Sequence, residues 1–509
     1  MAKTYTQMFA DHIAEFTFRD LAPEAVQKTK LLVLDFLGAT AAGSVAPVAA
    51  MLKQALAGNL APGPCWVIGK EDQRTSSLMA ALLNGFDAHI VEYDDTHRNS
   101  LYHPGAPTIP AALAAAQAVK ASGMKLIEGL VAGYDVGIRL AESINPAHYT
   151  FWHTTGTVGC FAAAAAAGKI MGLSPEQLVW ALGNAGTQAA GLWEFQADGS
   201  LTKPLHPGKA AMAGVLAALL AKEGFTGPST ILEGKQGFLK ATTSHFDLSR
   251  LAPKREDPPR ILEVTFKNYP SCGHTHTPID AALELYRQVG QAGGNIVKVR
   301  VVTNQVAIRV AGNFQPKTDY EAKFSIPFCV AYVLLYGRLD RSSFAPEALQ
   351  DPKTRALMAR VKLEVSEEME KVFRQKRPTE LAVVLDNGRT LSIRVEYRRG
   401  DPENPPLPEE VKAKYRMLVK PVLTPEKAGQ WEEACDHRGG EGGVAPVVKR
   451  PGDDLLLAIG SVCAHGVGTE DRGPSTSERL SCRLRRAVRP QASAPSTPRV
   501  VVSVGALRK

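Results

Sequence analysis

The chain has 509 residues, 45% of them hydrophobic and 22% charged. That balance suits a protein with a sizeable core, and it excludes a mainly disordered polymer, a collagen and a small disulfide scaffold. The net charge is +8, yet residues 437–509 hold 12 basic groups against six acidic ones, so the body is nearly neutral. A nucleic-acid protein concentrates basic groups on one face, so nucleic acid is not an expected partner. The seven cysteines are odd in number and include no CxxC pair, which signals neither a zinc site nor an iron–sulfur cluster. No span reaches the roughly 18 apolar residues of a membrane helix. The start, MAKTYTQMFADHIAEF, lacks the basic-then-apolar form of a signal peptide. The expectation is a cytoplasmic protein without membrane partners.

Residues 1 to about 260 read as helical almost throughout. Pro23 opens a run with apolar residues at helical spacing, and Gly43 stands near its stop. Ser76 caps the helix SLMAALLNGFDAH. The apolar run 106–121 is broken on this reading by Pro107 and Pro110. Thr155–Met171 contains six consecutive alanines, Ala162–Ala167. Ser174-Pro175-Glu176 has the form of a helix N-terminus, and Lys209–Glu223 continues the series. From about residue 262 the pattern changes. LEVTF (262–266) reads as a strand, Thr277–Val289 as a helix, and 295–304 and Val361–Val365 as strands. Asn387-Gly388 between alternating runs predicts a two-residue hairpin. DPENPPLP (401–408) is a linker before helix Glu409–Leu418. The partition expected is a helical domain (4–261), an α+β domain (262–400), a return to the helical domain (401–436) and a disordered tail (437–509).

Chemistry concentrates in four segments. VEYDDTHRNSLYHPG (91–105) packs Glu92, Asp94, Asp95, Thr96, His97 and His103 behind an apolar helix. Continued as helix, it places Glu92, Asp95 and Thr96 on one face. Two histidines and three acids can shuttle protons or hold a metal, although no spacing such as HExxH is present. TFWHTTGTVG (150–159) sets His153 at a helix N-terminus, where amides suit an anion. GSLTKPLHPGKAA (199–211) carries Lys203 and His206, and FKNYPSCGHTHT (266–277) carries Lys267, Cys272, His274 and His276. Taken singly, each also reads as a solvated loop or a satisfied cap. Together they supply Lys and His donors suited to a ligand with several carboxylates.

EYDDTH…HPG, LTKPLHPGKAA and YPSCGHTH, in this order over residues 4–436, resemble the MmgE/PrpD family, which includes 2-methylcitrate dehydratases and cis-aconitate decarboxylases. The resemblance implies a mainly α protein: a large all-helical domain with a smaller inserted α+β lid, a homodimer without metal or other cofactor. Matching the motifs implies that Glu92, Thr96, His103, His153 and Lys203 are catalytic. It places Asp95, His206, Lys267, Cys272, His274 and Phe328 in substrate binding. Cys272 and Phe328 stand where many members carry histidine and tyrosine. The expected activity is a hydro-lyase, dehydrating or hydrating a small polycarboxylate such as 2-methylcitrate in propionate catabolism. Alternatives are an epimerase or isomerase, a cis-aconitate-type decarboxylase, and a non-catalytic carboxylate-binding homologue. In the expected roles His103 and His153 are acid and base, Lys203, Lys267 and His206 hold carboxylates, and Glu92 and Thr96 orient them.

Overall fold

The computed structural model describes residues 3–69, 73–254, 257–292 and 295–436; the tail expected at 437–509 lies outside them. The chain opens with helices α1 (Tyr5–Glu15), α2 (Pro23–Ser44), α3 (Pro47–Leu56), α4 (Ser77–Ile90) and α5 (Gly105–Val119). It continues with α6 (Gly123–Ile144), α7 (Thr154–Met171), α8 (Pro175–Gly186), the short α9 (Phe195–Asp198) and α10 (Leu205–Lys222). A small antiparallel ribbon, β1 (Cys65–Val67) with β2 (Gln73–Thr75), sits between α3 and α4.

Helix α7 is the axis of this body. Every residue from Thr154 to Ile170 is buried, as expected for a helix apolar on all sides. It packs on α5, α6, α8 and α10. The alanine run makes this possible, because small side chains let backbones approach. At Gly214 of α10 a Cβ would lie 2.3 Å from the Ala163 Cβ and 2.5 Å from the Ala164 amide nitrogen, so only glycine fits that crossing.

The smaller α+β domain has its own apolar core, running from Tyr269 to Leu385 and separate from the core of the helical body. Four strands lie in the order β4-β3-β5-β6, where β3 is Ile296–Thr303, β4 Val361–Val365, β5 Thr379–Leu385 and β6 Thr390–Val395. β3 and β4 are parallel and the other pairs antiparallel. Helices α11 (His276–Ala292) and α12 (Ile326–Tyr336) pack on this sheet and on each other. The chain then returns to the helical body as α13 (Pro408–Val419) and α14 (Pro425–Asp436), with the Tyr415 backbone laid over Gly38 of α2.

Four sequence expectations are corrected. LEVTF does not form a strand: Arg260–Glu263 is a 3-10 turn, and Thr265 pairs with Thr96 in a single isolated bridge, because Val264 and Phe266 are drawn into the helical core. Pro107 and Pro110 do not break α5, since Pro107 occupies the first turn, where no amide donor is required, and Pro110 forfeits one bond inside a densely packed helix. The hairpin loop is not a two-residue Asn-Gly turn. The Gly388 amide donates to Leu385 O at 3.0 Å with Gly388 at φ +81°, a turn followed by a left-handed residue. Finally, Glu92, Asp95 and Thr96 share no helical face, because α4 ends at Ile90 and Glu92 adopts φ +53°. Among the described residues no single helix is long and apolar enough to cross a membrane.

The α7–α10 crossing makes a direct prediction. Gly214→Ala should destabilise the protein by about 1–3 kcal/mol through overpacking, read as an earlier midpoint in urea unfolding. An unchanged midpoint would show that these helices separate at no cost.

Candidate active site

The left-handed turn at Glu92 decides where the acidic motif points. The turn drops the Glu92 carboxylate between two ammonium groups from distant segments. Lys203 pairs with Oε1, and Lys267 lies 3.3 Å from Oε2 while donating to the Glu92 carbonyl at 2.9 Å. All three side chains are buried. Burial alone pushes the Glu92 carboxyl up, but Lys203 and Lys267 overcome this and hold it far below the usual carboxylate range.

Beside this triad lies a histidine cluster. One oxygen of Asp94 accepts from Nδ1 of His89 at 2.7 Å and Nδ1 of His103 at 3.0 Å. Burial opposes the Asp94 charge as well, yet the two rings and Lys267 hold its carboxyl well below the ordinary value. The His89 ring lies 4.7 Å from His103 and 5.7 Å from His153, between ring centres. His153 and His206 face each other through their Nδ1 atoms at 3.0 Å, so one ring donates and the other accepts. Burial lowers His103 and His206 to about 4 and holds His153 well below the usual imidazole value. These rings are neutral at pH 7.

The site is pinned from below by α13. Lys414 donates to the carbonyls of Tyr93 and Lys267, both at 2.8 Å, and pairs with Asp35 at 2.7 Å. Tyr93 donates from its hydroxyl to Asn268 O at 2.6 Å, and the Thr96–Thr265 bridge continues the lacing. Segments 92–97 and 264–268 are therefore held as one unit.

A cavity of about 780 Å³ opens over the triad. His89, Glu92 and Lys203 line its floor, and Tyr320, Lys323 and Arg341 line the side contributed by the α+β domain. Cationic groups thus face an open volume from both sides, which suits a ligand with several carboxylates.

Of the residues expected from sequence, Glu92, Lys203 and Lys267 meet directly, and His103, His153 and His206 join them through His89 and Asp94. Cys272 is buried near Lys267, Lys203 and Glu92, with its thiol pushed up by burial. Thr96 is buried with its hydroxyl unpartnered. Three expectations fail. Asp95 does not face the cavity: it accepts from the Gly105 amide at 2.9 Å and from Tyr134 Oη at 2.8 Å, capping α5 from inside. Phe328 lies in the core of the α+β domain, 5.9 Å from both Tyr332 and Phe344 between ring centres. Its N-terminal position on α12 turns it inward, away from the cavity lining. His274 stacks on Phe373 and likewise contributes nothing to the lining.

Sequence reasoning missed His89 and Tyr320, and it gave Asp94 a place in the acidic cluster but no role of its own. His89 is the most informative: Nδ1 is fixed by Asp94, Nε2 is buried without a partner, and the residue lines the cavity. Its signal was a lone histidine in the last turn of an otherwise apolar helix. Tyr320 also lines the cavity with a buried, unpartnered hydroxyl. His89, Asp94 and His103 offer ligand atoms within 4.8 Å of one another. The 2.7 and 3.0 Å spacings are hydrogen bonds from the two rings to one Asp94 oxygen.

Comparison with known proteins matches residues 7–251 to the MmgE/PrpD N-terminal domain and residues 269–437 to the MmgE/PrpD C-terminal domain. The chain is 28% identical to cis-aconitate decarboxylase of Homo sapiens over 445 residues, 83% of this chain and 89% of that protein. It is 27% identical to cis-aconitate decarboxylase of Aspergillus terreus over 443 residues, covering 81% and 89%. Its similarity to 2-methylcitrate dehydratase of Salmonella typhimurium, 27% over 213 residues, covers 39% of this chain and 43% of that protein.

The neutral histidines set a pH dependence of stability. Burial lowers His103, His148 and His206 to about 4 and holds His153, His274 and His276 well below the usual imidazole value. These rings bind fewer protons in the fold than in the unfolded chain, so their contribution to stability is lost as pH falls below about 6.5. Asp87 and Asp95, raised to about 7 by burial, and Asp280, raised to about 6, act in the opposite direction and reduce the loss. The six rings outnumber these carboxyls, so the thermal midpoint should fall between about pH 7.5 and 5. A midpoint that does not fall would show that the histidines do not dominate the balance.

Proposed function

This chain belongs to the MmgE/PrpD family, and from that premise we propose that it is a metal-independent lyase that decarboxylates a cis-aconitate-type tricarboxylate. The observation that carries the reading is the Glu92–Lys203 pair at the floor of a cation-lined cavity, backed by the buried Lys267 on the other oxygen of Glu92 and with a histidine of free Nε2 beside it. Relatives that match most of the chain are decarboxylases, and this moves the reading from hydration, expected from sequence, to loss of a carboxylate.

In the reaction the carbon–carbon bond to one carboxylate breaks, and that group leaves as CO2. The electron pair stays on the carbon skeleton, spread over the adjacent double bond and carboxylate. A proton from the histidine cluster then closes the carbanion. A trianion and one proton give a dianion and CO2. Lys203 and Lys267 stabilise the skeleton while it carries the extra charge. Glu92 keeps both lysines charged and in place. His89 and His103 supply the proton: Asp94 orients both rings through Nδ1, leaving Nε2 to carry it. His103, lowered to about 4 by burial, is driven towards its charged form when a polyanion enters, because nearby negative charge favours the imidazolium. Hydro-lyase chemistry would use the same lysines and histidines on a hydroxylated substrate.

The assay is CO2 release from cis-aconitate by protein treated with EDTA, run beside an ultraviolet assay for alkene gain or loss with 2-methylcitrate and citrate. Release of CO2 with uptake of one proton per turnover is expected. An alkene signal from methylcitrate without CO2 from cis-aconitate would sink decarboxylation in favour of the hydro-lyase. His89→Ala and His103→Ala should each lower kcat by about 10²–10⁴ with the fold intact by circular dichroism. Near-normal turnover in both would remove the cluster from the mechanism.

A further inference from the structure

The acidic motif ends in a small hairpin. His97 and Tyr102 pair across it: the His97 amide donates to Tyr102 O at 2.8 Å, and the Tyr102 amide to His97 O at 3.4 Å. Leu101, at φ +53°, closes the tip. The feet of the hairpin carry the proposed chemistry. Asp94 precedes one strand, His103 follows the other, and the two are bonded at 3.0 Å. The tip is gripped by the α+β domain. On the segment that leads into β5, Arg374 donates from Nε and Nη2 to the Asn99 carbonyl at 3.2 and 2.9 Å. Arg377 donates from Nη2 to the Arg98 carbonyl at 3.2 Å. The Arg98 side chain returns the grip, donating to Glu403 from both terminal nitrogens at 3.1 and 2.6 Å. From the helical body Asn145, at the end of α6, donates to the Ser100 carbonyl and to Thr154 Oγ1.

Arg377 holds its carbonyl under unfavourable conditions. It is 7% exposed, and its Nε is buried without a hydrogen-bond partner. Asp401, the acid that offsets its charge, is already paired with Arg98 at 3.1 Å and with Arg398 at 2.7 Å, and Arg398 adds repulsion. Gly273 leaves room for both guanidinium groups: a Cβ there would lie 2.9 Å from Arg398 Nη1 and 3.4 Å from Arg377 Nη1. A buried cation so poorly compensated costs stability that a well-packed apolar side chain would not. What Arg377 does provide is a fixed donor, because its own carbonyl accepts from Thr277 Oγ1 of α11 at 2.8 Å. We propose that Arg374 and Arg377 are positioning residues: they hold the hairpin tip and so set the His103 ring at its foot for proton transfer. The proposal rests on His103 being a proton donor of the proposed lyase. The cavity is lined from both domains, so a polyanion that bridges them favours their docked arrangement. The docking that completes the cavity then also fixes the proton donor.

The test is a double-mutant cycle on the full chain, read by CO2 release. Arg374→Ala should lower kcat by about 10- to 100-fold, the loss that a misplacement of about 1 Å brings, with little change in KM. Arg374→Lys, which keeps a donor for the Asn99 carbonyl, should recover most of that loss. In a His103→Ala background Arg374→Ala should add no further loss, because a residue that acts through another has nothing left to position. Equal losses in both backgrounds, or a raised KM at unchanged kcat, would overturn the proposal. Arg377→Met should follow the same pattern; where it fails to fold, the half-buried Arg374 carries the test. Amide hydrogen exchange separates this proposal from the lyase reading. Arg374→Ala should speed exchange at His97 and Tyr102 whether or not a substrate is turned over, and unchanged exchange at both would overturn the grip on the hairpin. A wild-type chain that turns over no substrate would instead overturn the lyase reading, and with it the catalytic consequence of the grip.

Discussion

A carboxylate buried between two lysines is costly unless all three charges arrive together. Removing an ion from water costs several kcal/mol even after relaxation, and a lone buried partner is strongly destabilising. Glu92, Lys203 and Lys267 come from three segments spread over 175 residues, and each needs the others. The arrangement also requires Glu92 to hold a left-handed backbone, a conformation that costs a non-glycine residue of order 1–3 kcal/mol and persists only where its surroundings over-determine it. Here Lys267 binds the Glu92 carbonyl and Lys414 binds the next one along. The turn before α10 that carries Lys203, the bridge at Thr265 and the returning helix α13 all converge on this demand.

The same burial explains why these histidines are neutral at pH 7. Desolvation dominates each of His103, His153 and His206, and the nearby lysines add to it. On the proposed reading, a polyanion in the cavity reverses the local charge balance and links proton uptake to substrate binding.

Dehydration, epimerisation and decarboxylation differ in which bond breaks next to a carboxylate, and all three place negative charge on the same carbon skeleton. A floor of two lysines, one glutamate and oriented imidazoles serves each of them. On the proposed reading the floor serves carbanion chemistry beside carboxylates, and the walls of the cavity choose the molecule. In this chain those walls are cationic towards the α+β domain and apolar towards the α2–α3 corner.

Much of this was legible in sequence. Helical spacing, caps at Ser76 and Ser174, and the change of period after residue 262 reflect local preferences, so they gave the mainly helical body and the strands β3 to β6. The motif order named Glu92, His103, His153, Lys203 and Lys267 together, and the fold brings them into one neighbourhood. What local pattern could not supply was direction. Asp95 and Asp94 are adjacent, yet one caps α5 and the other orients two histidines, since a single left-handed residue at Glu92 ends the helix and re-aims all that follows. Phe328, expected in the site, lies in the core of the α+β domain, while His89, which sequence gave no role, lines the cavity. The sequence by itself determined the elements and the inventory of charged groups. Tertiary structure alone decided which charges are desolvated together, because burial and pairing depend on segments that meet only when the chain has closed.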